Sequence, residues 1–227
     1  MTESAPRAIG ILIDGNRRWA KDRGLPSHEG HRAGFQKLRE ALVWVSESGI
    51  SEVTIYAFST ENWNRAPEEV SYLMALFQSL FDTEFNEMVQ KGFKIRFIGQ
   101  RNRLSQKLQD SIAKIEKESK NAKGLLVQIA ISYGARVEIL EAVNKLLASG
   151  ASSVDEAGFR EVMWSAGMTD PDIIIRTGGD QRLSNFLLFQ SAYSELFFTK
   201  TKWPDFSREE FNSILEEFAN RERRHGR

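Results

Sequence analysis

Short apolar runs of strand length alternate along the chain with stretches whose apolar residues recur every three or four positions. Apolar runs without inner alternation suit strands buried on both faces. Their alternation with helical periodicity predicts an α/β fold, a central, mainly parallel sheet wrapped by helices. Runs at 8–13, 53–58, 93–98, 125–131 and 172–175 predict five strands, and 196–198 a short last one. Helical spacing over 31–48 puts Phe35, Leu38, Leu42 and Val45 on one face, with Gly49 as a stop. Further helices are predicted from Pro67 to about Gln90, over 104–121, to about Ala148, around 155–166 and over 207–222. Gly24, Pro26 and Gly30 predict a loop over 20–30. The helix from Pro67 carries Val70, Leu73, Met74, Phe77, Leu80, Phe81 and Phe85 on its apolar side. Ordinary core packing explains each of them singly, but together they are more aromatic bulk than one core stripe needs.

The 227 residues, 41% of them hydrophobic, suit a single domain over residues 1–227 with a sizeable core. Lys+Arg and Asp+Glu balance at 31 each, so no global field recruits nucleic acid and any anion site must be local. Cysteine is absent, which removes disulfides and thiolate metal sites. No apolar run approaches the roughly 20 residues that span a bilayer. Met1 to Pro6 carry no signal-peptide apolar region, and the expected location is the cytoplasm.

Polar residues cluster where the apolar runs stop. Ile9 to Ile13 end in Asp14-Gly15-Asn16-Arg17-Arg18-Trp19-Ala20. Ligands of parallel sheets bind outside the carboxyl ends of strands, glycine permits close backbone approach, and arginines suit phosphate oxygens. Two readings of this stretch stand at this point: a metal-bridged phosphate site, or a strand end with a solvated Asp-Gly turn. The strand 53–58 ends in Ser59, Glu61, Asn62, Trp63, Asn64 and Arg65. The strand 172–175 runs into Arg176-Thr177-Gly178-Gly179-Asp180-Gln181-Arg182-Leu183-Ser184-Asn185, a second anion cradle in which Ser184 adds a hydroxyl donor. The P-loop, the G-x-G-x-x-G dinucleotide fingerprint, H-E-x-x-H and G-x-S-x-G are all absent. What remains is an enzyme holding two phosphorylated substrates, one through Mg²⁺ on Asp14, with an apolar tail along the aromatic helix.

Five stretches together resemble the cis-prenyltransferases, the undecaprenyl diphosphate synthase family: Asp14 to Ala20, Gly30-His31-Arg32-Ala33-Gly34, Tyr56 to Arg65, Arg176 to Asn185, and Trp203-Pro204-Asp205-Phe206. The resemblance runs from Ile9 to Gly226. It implies a sheet wrapped by helices around a hydrophobic tunnel, a homodimer, and Mg²⁺-dependent condensation of an allylic prenyl diphosphate with isopentenyl diphosphate. By resemblance Asp14 holds the ion, with Glu195 helping. Gly15, Asn16, Arg18, His31 and Arg65 surround the allylic diphosphate, and Arg17 adds a further cationic fork beside them. Arg176, Arg182 and Ser184 hold the homoallylic diphosphate. Ser59 and Asn62 lie near the proton lost from C2, and Trp19, Phe58 and Trp63 pack around the reacting chain. For His31 the alternative to phosphate contact is a surface cap. Arg224-His225-Gly226 resembles the family's R-x-G end, which reaches the partner subunit's diphosphate. A frayed basic terminus is the other reading of that tail. Peripheral membrane contact stays open, because long products are lipids.

Several positions depart from the family pattern. Ala8 replaces histidine, Ser27 arginine, Asp180 glutamate and Gln181 histidine, and Ser132, Ala135 and Val137 stand around Tyr133-Gly134. The aspartate-rich D-D-x-x-D signature of the all-helical prenyl synthases is missing. Phe81, Phe85 and Phe93 stand where long-chain members carry smaller aliphatics, whereas Ala57 is small as in long-chain enzymes. The bulk favours a short product of about C15. The alternatives are irregular head-to-middle coupling of two allylic diphosphates to a lavandulyl-type product, and a long-chain undecaprenyl-type synthase. Two rivals lie outside these. A non-catalytic supporting subunit typically lacks the aspartate and arginines kept here. A phosphohydrolase using Asp14 would favour a second aspartate where Asn16 stands.

Overall fold

Strands and helices alternate as the patterning predicts. The computed structural model describes residues 5–221. In chain order the elements are β1 (Ala8–Leu12), α1 (Asn16–Asp22), α2 (Ser27–Glu47), β2 (Glu52–Ser59), α3 (Pro67–Gln90), β3 (Lys94–Ile98), α4 (Gln106–Ser119), β4 (Leu126–Tyr133), α5 (Ala135–Ala148), α6 (Glu156–Val162), β5 (Ile173–Arg176), β6 (Glu195–Phe198) and α7 (Arg208–Asn220). Among the described residues the sheet has six strands in the order β3-β4-β2-β1-β5-β6. Among the described residues no helix is long and apolar enough to cross a membrane.

The chain forms two compact units, with 52–55 of β2 in the first and 56–59 in the second. The first unit comprises 5–55, 170–182 and 190–221. Its strands β1 and β5 are buried along their whole length, as their unbroken apolar runs require. β5 pairs parallel with β1 on one side and β6 on the other, so Leu12, Arg176 and Phe198 end in one row. The Asp172 carboxylate accepts from the Arg7 and Ala8 amides at 2.7 and 3.3 Å, tying the start of β1 to the start of β5.

The predicted loop over 20–30 is largely helical. Asn16–Asp22 is the short helix α1, and α2 begins at Ser27, directly after Pro26. Of the two glycines read as loop signals, Gly24 does turn the chain, at φ 66°, whereas Gly30 serves packing, as does Gly34. A Cβ on Gly30 would stand 2.0 Å from the Asn16 carbonyl oxygen, and one on Gly34 would stand 2.1 Å from Asn16 Oδ1. Bare backbone at this four-residue spacing lets α1 lie directly on α2. Trp203, fully buried, donates its indole N–H to the Gly34 carbonyl at 2.7 Å and stacks on Phe206. The Trp203-Pro204-Asp205-Phe206 motif is therefore the clasp on this helix pair.

The second unit comprises 56–169 and 183–189. β3 pairs parallel with β4 from Lys94↔Leu126 to Ile98↔Ala130. Helix α4 buries Leu108, Ile112 and Ile115 and turns its charges outward. The aromatic side of α3 joins a run of rings. Trp63 meets Phe58 at 5.1 Å, Phe58 meets Phe77 at 6.2 Å and Phe77 meets Phe81 at 6.1 Å. Phe81 then touches both Phe85 and Phe97 at 4.9 Å. Such edge and tilted pairs add to the apolar area they bury. Phe97, on β3, is part of this run although the helical pattern did not point to it.

Gly30→Ala forces a methyl into backbone rather than into a movable side chain. It is expected to lower the unfolding free energy by about 1–3 kcal/mol, read from urea denaturation midpoints at unchanged slope.

Candidate active site

In the first unit, the carboxyl ends of β1 and β5 bring charged groups together. Asp14 leaves β1 through a backbone fixed from two sides, its carbonyl accepting from Thr177 Oγ1 at 2.8 Å and from the Trp203 amide at 3.0 Å. Gly15 has φ 105°, a region that disfavours a side chain, and a Cβ there would stand 2.9 Å from Lys202 Cβ. Its smallness therefore makes room for Lys202. Gly178, at φ 87°, likewise lets Arg18 approach, since a Cβ there would stand 2.7 Å from Arg18 Nη2.

Arg176 ends β5 with a side chain only 5% exposed. It donates to Asp14 Oδ2 at 2.9 Å and to the Arg182 carbonyl, and its Nη2 lies 3.5 Å from Asp180 Oδ2. Arg18 reaches Asp14 Oδ1 at 3.3 Å and Asp180 Oδ2 at 3.4 Å. Arg182 grips Asp180 with both terminal nitrogens, each at 3.1 Å. Burial by itself would raise the Asp14 pKa. The Arg176 hydrogen bond, the charges of Arg18 and Arg176, and the Gly15 amide outweigh it and hold the carboxyl below its ordinary value. Asp14 is thus an ionised, partly exposed carboxylate.

Three guanidiniums against two carboxylates leave one net positive charge. A diphosphate carries more negative charge than this offsets, and a divalent cation would supply the difference. Among the described residues no group of three or more His, Cys, Asp or Glu could hold a metal unaided. Mg²⁺ is commonly held by one or two carboxylates together with substrate phosphates, and an ionised, accessible Asp14 fits that mode.

Other sequence-predicted residues of this unit have different partners. Asn16 turns inward, its amide donating to the Ile13 carbonyl at 3.1 Å while Oδ1 is buried against Gly34. Trp19 donates to Asp205 at 2.7 Å and carries the Arg23 guanidinium 4.2 Å above its ring. Arg17 is exposed on α1, next to Arg18, and His31 is half-buried in the second turn of α2. Glu195 begins β6 opposite Ile173, whereas Asp14 follows the other end of β1. Three residues of strand, roughly 10 Å, separate Glu195 from the Arg176 row. One chain therefore does not bring Glu195 to Asp14, and its carboxylate is bound by Arg221 instead. Arg224 lies outside the described residues.

In the second unit, Ser59 and Asn62 cap the short helix Thr60–Asn64 reciprocally. The Asn62 amide donates to Ser59 Oγ at 3.2 Å, and the Ser59 amide donates to Asn62 Oδ1 at 3.0 Å. Trp63 is held on three sides: by Phe58, by Ser132 Oγ accepting its indole N–H at 2.9 Å, and by Arg103 at 4.7 Å over the ring. Arg65 pairs with Glu69 at 2.9 Å. Ser184, Asn185 and Leu187 all have positive φ, at 49°, 66° and 43°. Asn185 secures that bend: its carbonyl accepts from the Ala135 amide and its Oδ1 from the Arg136 amide, and its side-chain N–H₂ donates to Glu61 at 2.8 Å. The Tyr56 hydroxyl donates to the Ser184 carbonyl, and its ring stacks on Phe186 at 4.7 Å. The motif reading did not identify Thr177, Lys202, Arg103 or Asn185 as positioning groups. Only Asn185, an αL-tolerant residue after a glycine-rich turn, carried a signal for this.

The undecaprenyl diphosphate synthase family of prenyltransferases matches residues 12–226. An isoprenyl transferase of Fusobacterium nucleatum is 45% identical over 226 residues, covering 100% of this chain and 98% of that protein. A ditrans,polycis-undecaprenyl-diphosphate synthase ((2E,6E)-farnesyl-diphosphate specific) of Legionella pneumophila is 39% identical over 232 residues, covering 100% and 98%. Among solved structures, lavandulyl diphosphate synthase from Lavandula x intermedia, in complex with dimethylallyl diphosphate, matches with a TM-score of 0.94 at 35% identity, covering 98% of this chain and 99% of that one.

Asp14→Asn removes the anion nearest to buried Arg176. With Asp14 partly exposed, the expected loss of stability is about 1–2 kcal/mol at pH 7, between the values for exposed and buried pairs. The Asp14 pKa is lowered on folding. Its stabilisation is therefore complete above the unfolded carboxylate value of about 3.9 and is lost as pH falls through the folded value. Urea titrations of wild type and variant should converge as pH falls through the lowered folded value of Asp14. A gap that stays constant with pH would contradict the ionic origin.

Proposed function

The chain belongs to the undecaprenyl diphosphate synthase family and is a prenyltransferase, and on that premise we propose that it joins an allylic prenyl diphosphate to isopentenyl diphosphate, with Mg²⁺, to give an isoprenyl diphosphate of about C15. The allylic carbon–oxygen bond breaks and its C1 bonds to C4 of isopentenyl diphosphate. A proton leaves C2, and inorganic diphosphate is released. The observation that carries this reading is the buried Arg176, flanked by Arg18 and Arg182 and set against an ionised Asp14.

Mg²⁺, when bound, would supply neutralisation of the charge that builds on the departing diphosphate. Asp14 would hold the ion, with Gly15, Arg17, Arg18, His31 and Arg65 around the allylic diphosphate. Arg176, Arg182 and Ser184 would hold the homoallylic diphosphate, and a fixed orientation of both substrates would supply proximity. Ser59 and Asn62 would lie by the departing proton, and Trp19, Phe58 and Trp63 by the reacting chain. Asn16 would act through the packing of α1. We assign the whole chain as one catalytic domain of a cytoplasmic homodimer, with Arg224 and Glu195 serving across it. Membrane contact would be peripheral.

The short product rests on the packed rings of Phe58, Phe77, Phe81, Phe85 and Phe97, which leave little length for a growing tail. A second reading, irregular coupling of two allylic diphosphates, is favoured by the likeness to lavandulyl diphosphate synthase and by Ser132. Ser132 takes φ 50°, where asparagine is better suited, and anchors Trp63.

The test is a product assay with Mg²⁺, offering dimethylallyl, geranyl and farnesyl diphosphates with and without isopentenyl diphosphate. Linear cis products of about C15 only when isopentenyl diphosphate is present are the expected result. Branched product from allylic diphosphates alone would establish irregular coupling, much longer chains would establish a polyprenyl synthase, and no product would point to a supporting subunit. Phe81→Ala and Phe93→Ala are each expected to lengthen products by one or more isoprene units, and unchanged length in both would overturn the packing argument.

A further inference from the structure

Asp180 contacts every arginine of the cradle. Its Oδ2 lies 3.4 Å from Arg18, 3.5 Å from Arg176 and 3.1 Å from Arg182, and its Oδ1 accepts a second bond from Arg182 at 3.1 Å. Asp14 uses the same Nη2 atoms of Arg18 and Arg176 but comes nearer to each, at 3.3 and 2.9 Å. The two carboxylates are therefore not equivalent. Asp14 follows β1 and has its backbone fixed from two sides. Asp180 stands in a turn after two glycines of positive φ, with its side chain 31% exposed. A carboxylate oxygen shared by three guanidiniums makes the contacts that a phosphate oxygen would make in that place.

We propose that Asp180 competes with the diphosphate for these guanidinium N–H groups, so that it limits how tightly the cradle holds a diphosphate and eases its departure. This rests on the reading of Arg176, Arg18 and Arg182 as a diphosphate cradle. Asp180 tunes affinity through the arginines and does not itself react. Diphosphate entry shifts the three arginines from a carboxylate to phosphate oxygens and leaves Asp180 to turn toward solvent. A cradle without the competing carboxylate binds more tightly and releases more slowly, which suits retention and not turnover.

The experiment is calorimetric titration of the full-length protein with inorganic pyrophosphate at fixed Mg²⁺. Asp180→Asn keeps the shape and removes the charge, and the expected Kd is about fivefold lower than that of wild type, the size of effect that partly exposed charges exert. Asp180→Glu keeps the charge and is expected to bind within about twofold of wild type. Arg176→Met tests the underlying reading. If it binds pyrophosphate as well as wild type, the cradle assignment itself fails. If it loses binding while Asp180→Asn binds no more tightly than wild type, the cradle stands and the competition is overturned. Weaker binding by Asp180→Asn would show that the carboxylate only orients Arg182. Asp180→Ala gives the same comparison should the asparagine variant fail to fold.

Discussion

A guanidinium almost out of reach of water needs anions close by, and Arg176 sets that requirement at the end of β5. Burying a charge without partners is far more costly than any single contact in this region returns. Asp14 meets the need from the adjacent strand, and the Arg182 carbonyl meets it from the following turn. The parallel register of β1 with β5 is what makes this pairing reachable, because Leu12 and Arg176 end in the same row. Asp14 is held ionised by Arg176 together with Arg18 and the Gly15 amide, so the charge state and the direction of the carboxylate are set in one place.

The rest of the first unit keeps that carboxylate where it is. Thr177 and Trp203 fix the Asp14 carbonyl, and Trp203 in turn is bonded to α2 through Gly34. Asp205 then holds Trp19 on α1. A helix that carries phosphate-type donors is thus bound to the strand end by ordinary hydrogen bonds and close packing, not by a dedicated catalytic device. A residue of such a motif can also be tied inward, as the Asn16 side-chain amide is to the Ile13 carbonyl.

The strands were legible because unbroken apolar runs leave few alternatives. The clustering of Asp14, Arg18, Arg176 and Arg182 was legible because polar residues at the ends of two such runs fall together in a parallel sheet. Helix α1 and the first turn of α2 were not, because glycine is a loop signal by propensity and a packing device by contact. Only the contact partner, Asn16, decides which. Ser59 and Asn62 show a related ambiguity, since the residues expected near a moving proton also satisfy each other as a helix cap. Glu195 was named through the family resemblance alone, and the register of β6 puts it at the far end of its strand from Arg176.

The bend at Ser184, Asn185 and Leu187 has a consequence for how this sequence can change. A leucine in the left-handed region is strained by roughly 1–2 kcal/mol, and glycine would relieve it. Leu187 is fully buried, however, and removing its side chain would forfeit about 2 kcal/mol or more, so the strained residue is the better one. Truncating Leu187 therefore runs downhill in stability even as the backbone relaxes. Over evolutionary time that position can alter only through paired changes, in which a new backbone course and a new side chain to fill the buried space arise together.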